Sequence, residues 1–286
     1  MKQETIDKIV DKTPELVLGL GDFSYGDDVG CWLEIVEPID DIMKIAFGNE
    51  DLQGSEETEL MEHFGLTSQY YSFDYQNVHF TVMDDYVPDE MGSKQYTFVQ
   101  NDLPKAAAAP NIDRIVVTHH SQKYASTKNY DIPEEREWNN IYHPLFEQYN
   151  VDLVVQGHQH NYQRTYPIKY NSDTPINPII ADKNKSNYTN PEGQIFAILG
   201  TGGVNHHKLN GNKALYTVIA QDEQFGFLNV DIINNNNVNN EGTTILVGTF
   251  YANEDEDDED DDNEEEIAEE EQQEHILDQF TVTKSK

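Results

Sequence analysis

Short apolar runs alternate with helical patterns along the first half of the chain. Four runs rich in β-branched and aliphatic residues predict buried strands: 15–22, 43–50, 114–120 and 151–155. Apolar residues at helical spacing predict three helices: 3–12, 54–64 and 135–149. The segment 70–84 alternates about Gln76 and Asn77, which predicts a hairpin. Each of the four strands runs into a cluster of polar residues.

The second half of the chain follows a different pattern. Residues 165–190 are rich in Pro and Asn, which predicts a long irregular segment. Strand-like runs follow it: 194–199, 225–233, 243–251 and 275–283. Strands that alternate with helices early and then run antiparallel predict an α/β fold built on a β-sandwich. Active sites in such sheets lie beyond the carboxyl ends of the strands, where the polar clusters fall.

The polar clusters at the strand ends contain residue types that bind metal ions. The candidates are Asp22 with Tyr25, Asn49 with Glu50, His119 with His120, and His158 with His160. Taken alone, an Asp after a Gly is a turn residue, and an H-x-H pair is compatible with two surface histidines. Their joint occurrence at four strand ends favours two cations held by oxygen and nitrogen ligands. Two ions roughly 3.5–4 Å apart activate water and stabilise a phosphoryl group under attack.

Length and charge narrow the class of protein. The 286 residues fit one domain, 1–286, and no apolar run is long enough to span a membrane. The net charge of −36 argues against nucleic-acid binding, which needs a cationic surface. Residues 254–274 hold 16 of the acidic residues, and the rest of the chain carries −20. We predict that this acidic tract is a disordered loop between the last two strands, either a solvated spacer or a calcium-binding or docking patch.

Location in the cell and oligomeric state stay open at this stage. Cys31 is the only cysteine, so no intrachain disulfide can form. The first residues lack the apolar region of a signal peptide, which taken at face value predicts a cytoplasmic protein. An additional N-terminal segment would instead be compatible with secretion or the cell surface.

Four motifs resemble those of the calcineurin-like metallophosphoesterases. They are Gly21-Asp22-x-x-Tyr25, Gly48-Asn49, Val117-x-x-His120 and Gly157-His158-x-His160-x-Tyr162-x-Arg164. The Asp-x-x-Tyr spacing and the Tyr-x-Arg after the histidine pair resemble the purple acid phosphatase branch. The resemblance runs from residue 3 to the last predicted strand. It implies a metallophosphoesterase-type β-sandwich flanked by helices (αββα) and hydrolysis of phosphomonoesters by a metal-bound hydroxide.

The resemblance also implies a role for each candidate ligand. Asp22 would bridge two metal ions. Tyr25 and His160 would hold one of them, typically ferric iron, and the phenolate would give a purple or pink colour. The second ion, zinc, manganese or iron, would be held by Asn49, His120 and His158. The glycine-rich stretch 200–203 would lie near the site, and the next two histidines would either contact substrate or belong to an ordinary loop: His206 and His207.

One departure from the family pattern concerns the start of the fold. The family begins with a strand ending in Asp-x-Gly or Asp-x-His, whose Asp binds the first metal. No Asp upstream of Asp22 fits, because Asp7 and Asp11 fall on the predicted first helix. Either the sequence lacks an upstream segment or the protein has lost a ligand and a central strand. Such a gap would leave an unpaired sheet edge beside the strand at 15–20.

A second departure lies beside Asn49, where the family has a histidine that contacts the phosphate or protonates the leaving group. Glu50 occupies that position here. A missing general acid costs roughly 10²–10⁴ in rate. His119 is the nearest replacement in the sequence, although it is also compatible with a simple neighbour of the metal ligands. Both departures keep a second hypothesis open: an inactive phosphoesterase fold that acts as a binding or interaction module.

Overall fold

The structure is a computed structural model that describes residues 2–26, 29–126, 133–209, 211, 213–235, 242–253 and 275–285. The acidic tract 254–274 lies outside the described residues, so the disordered loop stays a prediction. The two strands expected on either side of it are present and pair with each other in antiparallel fashion.

The described part of the chain contains five α-helices, fifteen strands and two short 3₁₀-helices, Glu37–Ile42 and Glu50–Leu52. The helices are α1 (Gln3–Asp11), α2 (Val29–Val36), α3 (Glu56–His63), α4 (Lys94–Ala108) and α5 (Pro133–Gln148). The strands are β1 (Val17–Gly19), β2 (Met43–Ile45), β3 (Tyr71–Tyr75), β4 (Val78–Val82), β5 (Arg114–Thr118), β6 (Leu153–Gln156), β7 (Tyr162–Thr165), β8 (Ile168–Lys169), β9 (Ile179–Ile180), β10 (Asn187–Thr189), β11 (Ile195–Leu199), β12 (Thr217–Gln221), β13 (Gly226–Asn235), β14 (Thr243–Ala252) and β15 (Ile276–Ser285).

The largest layer is a seven-stranded sheet in the order β12-β7-β11-β6-β5-β4-β3. Its middle strands β4, β5, β6 and β11 are parallel, and antiparallel strands flank them on both sides. Every residue of β5 and β6 is buried, as expected for parallel strands covered on both faces. The carboxyl ends of these parallel strands therefore meet at one edge of the sheet.

A second layer faces the seven-stranded sheet. It contains the four-stranded sheet β10-β15-β14-β13 and the short parallel pair β1-β2. Val116, Leu153 and Val155 of the first layer share one buried cluster with Leu246 and Phe280 of the second. This cluster is the core of the predicted β-sandwich.

Helices cover both outer faces of the sandwich. Helices α4 and α5 pack on the seven-stranded sheet, where Leu103 and Trp138 join Val117 in a buried cluster. Helices α1, α2 and α3 pack on the β1-β2 pair, through residues such as Ile6 and Trp32. The αββα arrangement is thus confirmed. Within the described ranges, no helix combines the length and the apolar character needed to cross a membrane.

Several elements differ from their sequence-based predictions. The segment 165–190, predicted as irregular, contains three strands of two or three residues, which are too short to show in a sequence pattern and which form only through pairing. Helix α2 gave no amphipathic signal because it is apolar on most of its surface. Strand β1 is three residues long and half-buried, whereas a longer, fully buried strand was expected.

The short β1 has an unpaired edge. Among the described residues, β1 pairs with β2 alone and β13 pairs with β14 alone. Both free edges border a cavity of about 640 Å³, which is lined by apolar side chains such as Leu18, Val155 and Leu228. Residues 2–16 contain α1 and no strand. The exposed edge predicted beside 15–20 is therefore present.

Candidate metal centre

Three strand ends meet at one corner of the sandwich. His120 follows β5, His158 follows β6 and Asp22 follows β1. The ends are tied together by backbone bonds, since the N–H of Gly157 donates to the carbonyl of His120 at 2.9 Å. The carbonyl of Leu20 accepts a hydrogen bond from His120 Nδ1 at 2.6 Å. This bond fixes the imidazole with Nε2 facing the corner, the arrangement typical of a metal-binding histidine.

The side chains of Asp22, His120 and His158 converge on a common point. One ligand atom from each lies within 4.8 Å of the others, and His120 Nε2 is 3.1 Å from Asp22 Oδ2 and 3.2 Å from His158 Nδ1. Burial tends to raise the pKa of Asp22, but the hydrogen bond and charge of His120 outweigh it and lower that pKa. Burial and the neighbouring His120 lower the pKa of His158. Burial lowers the pKa of His120, but the hydrogen bond and charge of Asp22 outweigh it and raise that pKa. An ionised carboxylate and neutral imidazoles are the forms that bind metal, so a cation at this point would displace the proton that Asp22 favours on His120.

Tyr25 and His160 form the second part of the site. The hydroxyl of Tyr25 lies 2.8 Å from His160 Nε2, and the carbonyl of Asn205 accepts a hydrogen bond from His160 Nδ1 at 2.8 Å. Burial, followed by the charges of Asp22 and Glu50, raises the pKa of Tyr25. Without a cation, the phenol therefore keeps its proton. Tyr25 is 41% exposed, so this half of the site is more open than the half around His120.

Asn49 is connected to Asp22 through Glu50. Its Nδ2 donates to Glu50 Oε1 at 2.6 Å, and the Glu50 N–H donates to Asp22 Oδ1 at 2.9 Å. Glu50 Oε2 accepts a further hydrogen bond from Gln53. Because Glu50 holds the amide nitrogen, the carbonyl oxygen of Asn49 is the atom left to bind a metal. Glu50, at the position of the family histidine, thus orients a ligand with a carboxylate that is already engaged on both oxygens.

His119 is separated from this cluster. It is fully buried, its Nδ1 lies 3.0 Å from Asp85 Oδ2, and its Nε2 lies 3.3 Å from Gln156 Nε2. The ring packs against Trp138, with centroids 4.7 Å apart. Both ring nitrogens therefore face protein groups. This placement fits one of the two alternatives given from the sequence, in which His119 is a neighbour of the candidate metal ligands and not a general acid.

His206 and His207 surround the backbone of His160. The ring of His207 stacks on that of His160 at 3.9 Å, and its Nδ1 accepts a hydrogen bond from the His160 N–H at 3.3 Å. The His206 ring stacks on Phe225 at 4.1 Å, and its Nδ1 lies 3.3 Å from the His160 carbonyl. These contacts position the His160 loop. His207 is also exposed beside the site, within reach of a molecule bound there.

The backbone at this corner is strained and closely packed. Asp22 and His158 have φ values of 60° and 62°, a conformation that costs energy in residues with a side chain. A Cβ at Gly48 would lie 2.3 Å from Asp22 Oδ1, so only glycine fits there. Strain and close approach at ligand positions are typical of a functional site.

Asp51 holds the two ligand loops together, and sequence patterns did not single it out. Its side chain is fully buried and accepts hydrogen bonds from the backbone N–H groups of Asp22, Phe23 and Gly48 at 2.7–2.8 Å. Burial raises its pKa to about 6, although these three donors offset part of the rise. The one feature of the sequence that could have indicated this role is the position of Asp51 in the polar cluster, two residues after Asn49.

Replacing Asp51 with asparagine should loosen this corner. The amide nitrogen would face the N–H groups of Asp22 and Gly48, and each buried donor left without an acceptor costs about 1–3 kcal/mol. We expect the free energy of unfolding to fall by about 2–4 kcal/mol in urea titrations, together with weaker metal binding. The exposed Asp41→Asn variant is the matched control. A loss no larger than the control's would contradict the assignment of Asp51 as a loop anchor.

Tyr162 and Arg164 complete the last motif but lie away from the ligands. Arg164 is 1% exposed, and its guanidinium donates to Asp278 Oδ2 at 2.6 Å and Oδ1 at 2.8 Å. The hydroxyl of Tyr162 donates to the same Asp278 at 2.6 Å. Since Asp278 belongs to β15, these residues connect the two sheets of the sandwich.

A phosphoesterase fold and a corner of convergent metal ligands define the class of this protein. A family model for calcineurin-like phosphoesterases matches residues 2–162, and the chain belongs to that family. Purple acid phosphatase 21 of Arabidopsis thaliana is 28% identical over 201 residues, 61% of this chain and 44% of that protein. Probable inactive purple acid phosphatase 1 of the same plant is 29% identical over 172 residues, which cover 58% of this chain and 26% of that protein.

A solved structure has the same fold along nearly the whole chain. Purple acid phosphatase PPD1 from yellow lupin (Lupinus luteus) seeds matches with a TM-score of 0.73 and 19% sequence identity, covering 99% of this chain and 49% of that one. Within its family, this chain is therefore similar to purple acid phosphatases in sequence and shares the fold of one of them. The chain spans less than half the length of these curated relatives.

Proposed function

We propose that this chain is a dinuclear metal-dependent phosphoesterase whose substrates are phosphomonoesters. The observation that carries the proposal is the convergence of Asp22, His120 and His158 within 4.8 Å, at the corner where the parallel strands end. The second nitrogen of His120 is already fixed by the Leu20 carbonyl, so the site is arranged for a ligand before one arrives. Membership of the calcineurin-like phosphoesterase family also supports the proposal of a phosphoesterase.

The donor atoms divide into two sets around Asp22. His120, His158 and the Asn49 carbonyl would hold one cation, and Tyr25 with His160 would hold the other. Mixed carboxylate, amide, phenol and imidazole donors suit iron, zinc or manganese. The bound cations would supply Lewis acidity toward water and phosphate oxygens.

The protein's own groups would orient the reacting molecules. Asp51 fixes the loops that carry Asp22 and Asn49, and Glu50 engages the Asn49 amide nitrogen, which leaves the carbonyl oxygen to bind a cation. The exposed His207 borders the more open half, where an ester can approach. Positioning of this kind accounts for much of the rate of phosphoryl transfer, because the reaction requires little covalent chemistry from the protein.

A non-catalytic binding module is the second candidate function. Two observations favour it: Glu50 stands where the family has a histidine, and two relatives are named probable inactive purple acid phosphatases. Such a module would keep the fold and the partial ligand set but would not turn over phosphate esters.

Metal analysis combined with an activity assay separates the two candidates. We expect the purified chain, supplied with iron plus zinc or manganese, to retain up to two metal ions in elemental analysis and to hydrolyse an aryl phosphate. Iron bound by Tyr25 would add a visible absorption band that the Tyr25→Phe variant lacks. Absence of both bound metal and hydrolysis would refute the phosphoesterase proposal. Bound metal without hydrolysis of any ester would favour the binding module.

A further inference from the structure

One polar side chain at the rim of the metal centre has no role in the proposed ligand set. Tyr86 follows β4, and its hydroxyl lies 3.3 Å from Asn49 Oδ1 and 3.2 Å from Ser121 Oγ. Its ring centroid is 6.1 Å from that of His120. The residue is 37% exposed, so a molecule from solvent can reach it beside the ligands.

We propose that Tyr86 contacts the substrate and donates a hydrogen bond to a phosphate oxygen of the ester. The proposal rests on the proposed phosphoesterase function and adds a donor that this function needs. A phosphate dianion approaching Asp22 and Glu50 requires donors to offset the repulsion between like charges.

Position 50 does not supply this donor. When ionised, the Glu50 carboxylate accepts hydrogen bonds and cannot give one. Its two oxygens already accept from Asn49 and Gln53, both at 2.6 Å. Tyr86 contacts the oxygen of the Asn49 amide, whereas Glu50 contacts its nitrogen. The Tyr86 hydroxyl carries a proton, so it offers the donor that Glu50 lacks.

The loop that carries Tyr86 is held on both sides. The Tyr86 N–H donates to Asp84 Oδ1 at 2.7 Å, and Gln95 bonds both the N–H and the carbonyl of Asp84. Asp85 Oδ2 accepts from the Ser121 N–H at 2.6 Å. The hydroxyl is therefore presented from a fixed backbone, which lowers the entropy cost of orienting a substrate.

The Tyr86 phenol carries a proton at neutral pH, because a tyrosine hydroxyl has an ordinary pKa of roughly 10. The 3.3 Å contact with Asn49 is long for an O–H···O bond and easily exchanged. If Ser121 donates to the phenol oxygen, the Tyr86 proton is free to bind an anion.

Replacing Tyr86 with phenylalanine tests the proposal. Loss of a hydrogen bond to a charged group should lower kcat/KM for an aryl phosphate by about 10- to 100-fold and weaken the binding of inorganic phosphate. Metal content should not change, because Tyr86 is not a ligand. Tyr149→Phe, which removes a hydroxyl from a half-buried tyrosine on the far side of the seven-stranded sheet, is the matched control.

A fluorinated tyrosine at position 86 separates a donor from a structural residue. Difluorotyrosine keeps the ring and hydroxyl but lowers the phenol pKa, so the group should lose its proton and its activity as the pH rises, while the natural chain stays active. Identical pH profiles, or a Tyr86→Phe variant equal to Tyr149→Phe, would overturn the assignment of Tyr86 alone. A natural chain that neither binds metal nor hydrolyses any ester would overturn the proposed function and this role with it.

Discussion

Replacing Asp22 with asparagine should abolish hydrolysis of phosphate esters and remove most of the bound metal. Asp22 supplies the one carboxylate in the cluster of convergent ligand atoms and faces His120 Nε2 at 3.1 Å. Removal of a group that only supports a metal ligand costs about 10–100-fold in metal affinity. We expect a loss beyond about 100-fold for the ligand itself, measured by elemental analysis and by titration with a competing chelator.

The change from carboxylate to amide nearly preserves the shape of residue 22. The Glu50 N–H can still donate to its carbonyl oxygen, and Asp51 can still accept from its backbone. Stability in urea should therefore change by less than about 1 kcal/mol, the size of one hydrogen bond. Asp173→Asn, on an exposed loop, provides the control. Full metal content and activity in Asp22→Asn would show that the ions bind elsewhere.

The location of the candidate metal centre could be predicted from the ends of the strands. The apolar runs 114–120 and 151–155 predicted buried strands that lead into polar residues, and active sites in such sheets lie beyond the carboxyl ends of the strands. The structure brings His120 and His158 together with Asp22, as that rule requires. The local sequence was sufficient to predict this location, because each of these candidate ligands follows a strand of its own.

Side chains that act across loops could not be predicted in this way. Asp51 matters because its carboxylate accepts from Phe23, 28 positions away, and no pattern in either segment encodes that pairing. Tyr86 also follows a strand that ends at the shared edge, so its position carried a signal. A tyrosine is so often a packing residue that its hydroxyl becomes informative only when Asn49 and Ser121 are seen beside it.

Arg164 shows the opposite case, in which a motif was visible but its physical role was not. Its position after the histidine pair resembles the family pattern, yet its partner Asp278 is 114 positions further along the chain. Only the pairing of β14 with β15 brings that carboxylate under the guanidinium. Arg164 therefore has a structural role, because it joins the seven-stranded sheet to the opposite layer.

Replacing Asp278 with alanine should cause the largest loss of stability among these variants. The Arg164 guanidinium is 1% exposed and would stay buried without its carboxylate, and Tyr162 would lose its acceptor. Breaking a buried ion pair by removing one partner costs about 3–5 kcal/mol. At about 2–4 °C per kcal/mol, the melting temperature should fall by about 6–20 °C in a calorimetric scan.

A double variant distinguishes a buried charge from a simple loss of packing. The cost of Asp278→Ala arises from the unpaired guanidinium of Arg164. The double variant Asp278→Ala with Arg164→Met should therefore recover part of the lost stability, because apolar residues can often replace a buried ion pair. Asp231→Ala, an exposed acid on β13, should change unfolding by no more than about 0.5 kcal/mol. Additive losses in the double variant would mean that the pair does not couple the two sheets through charge.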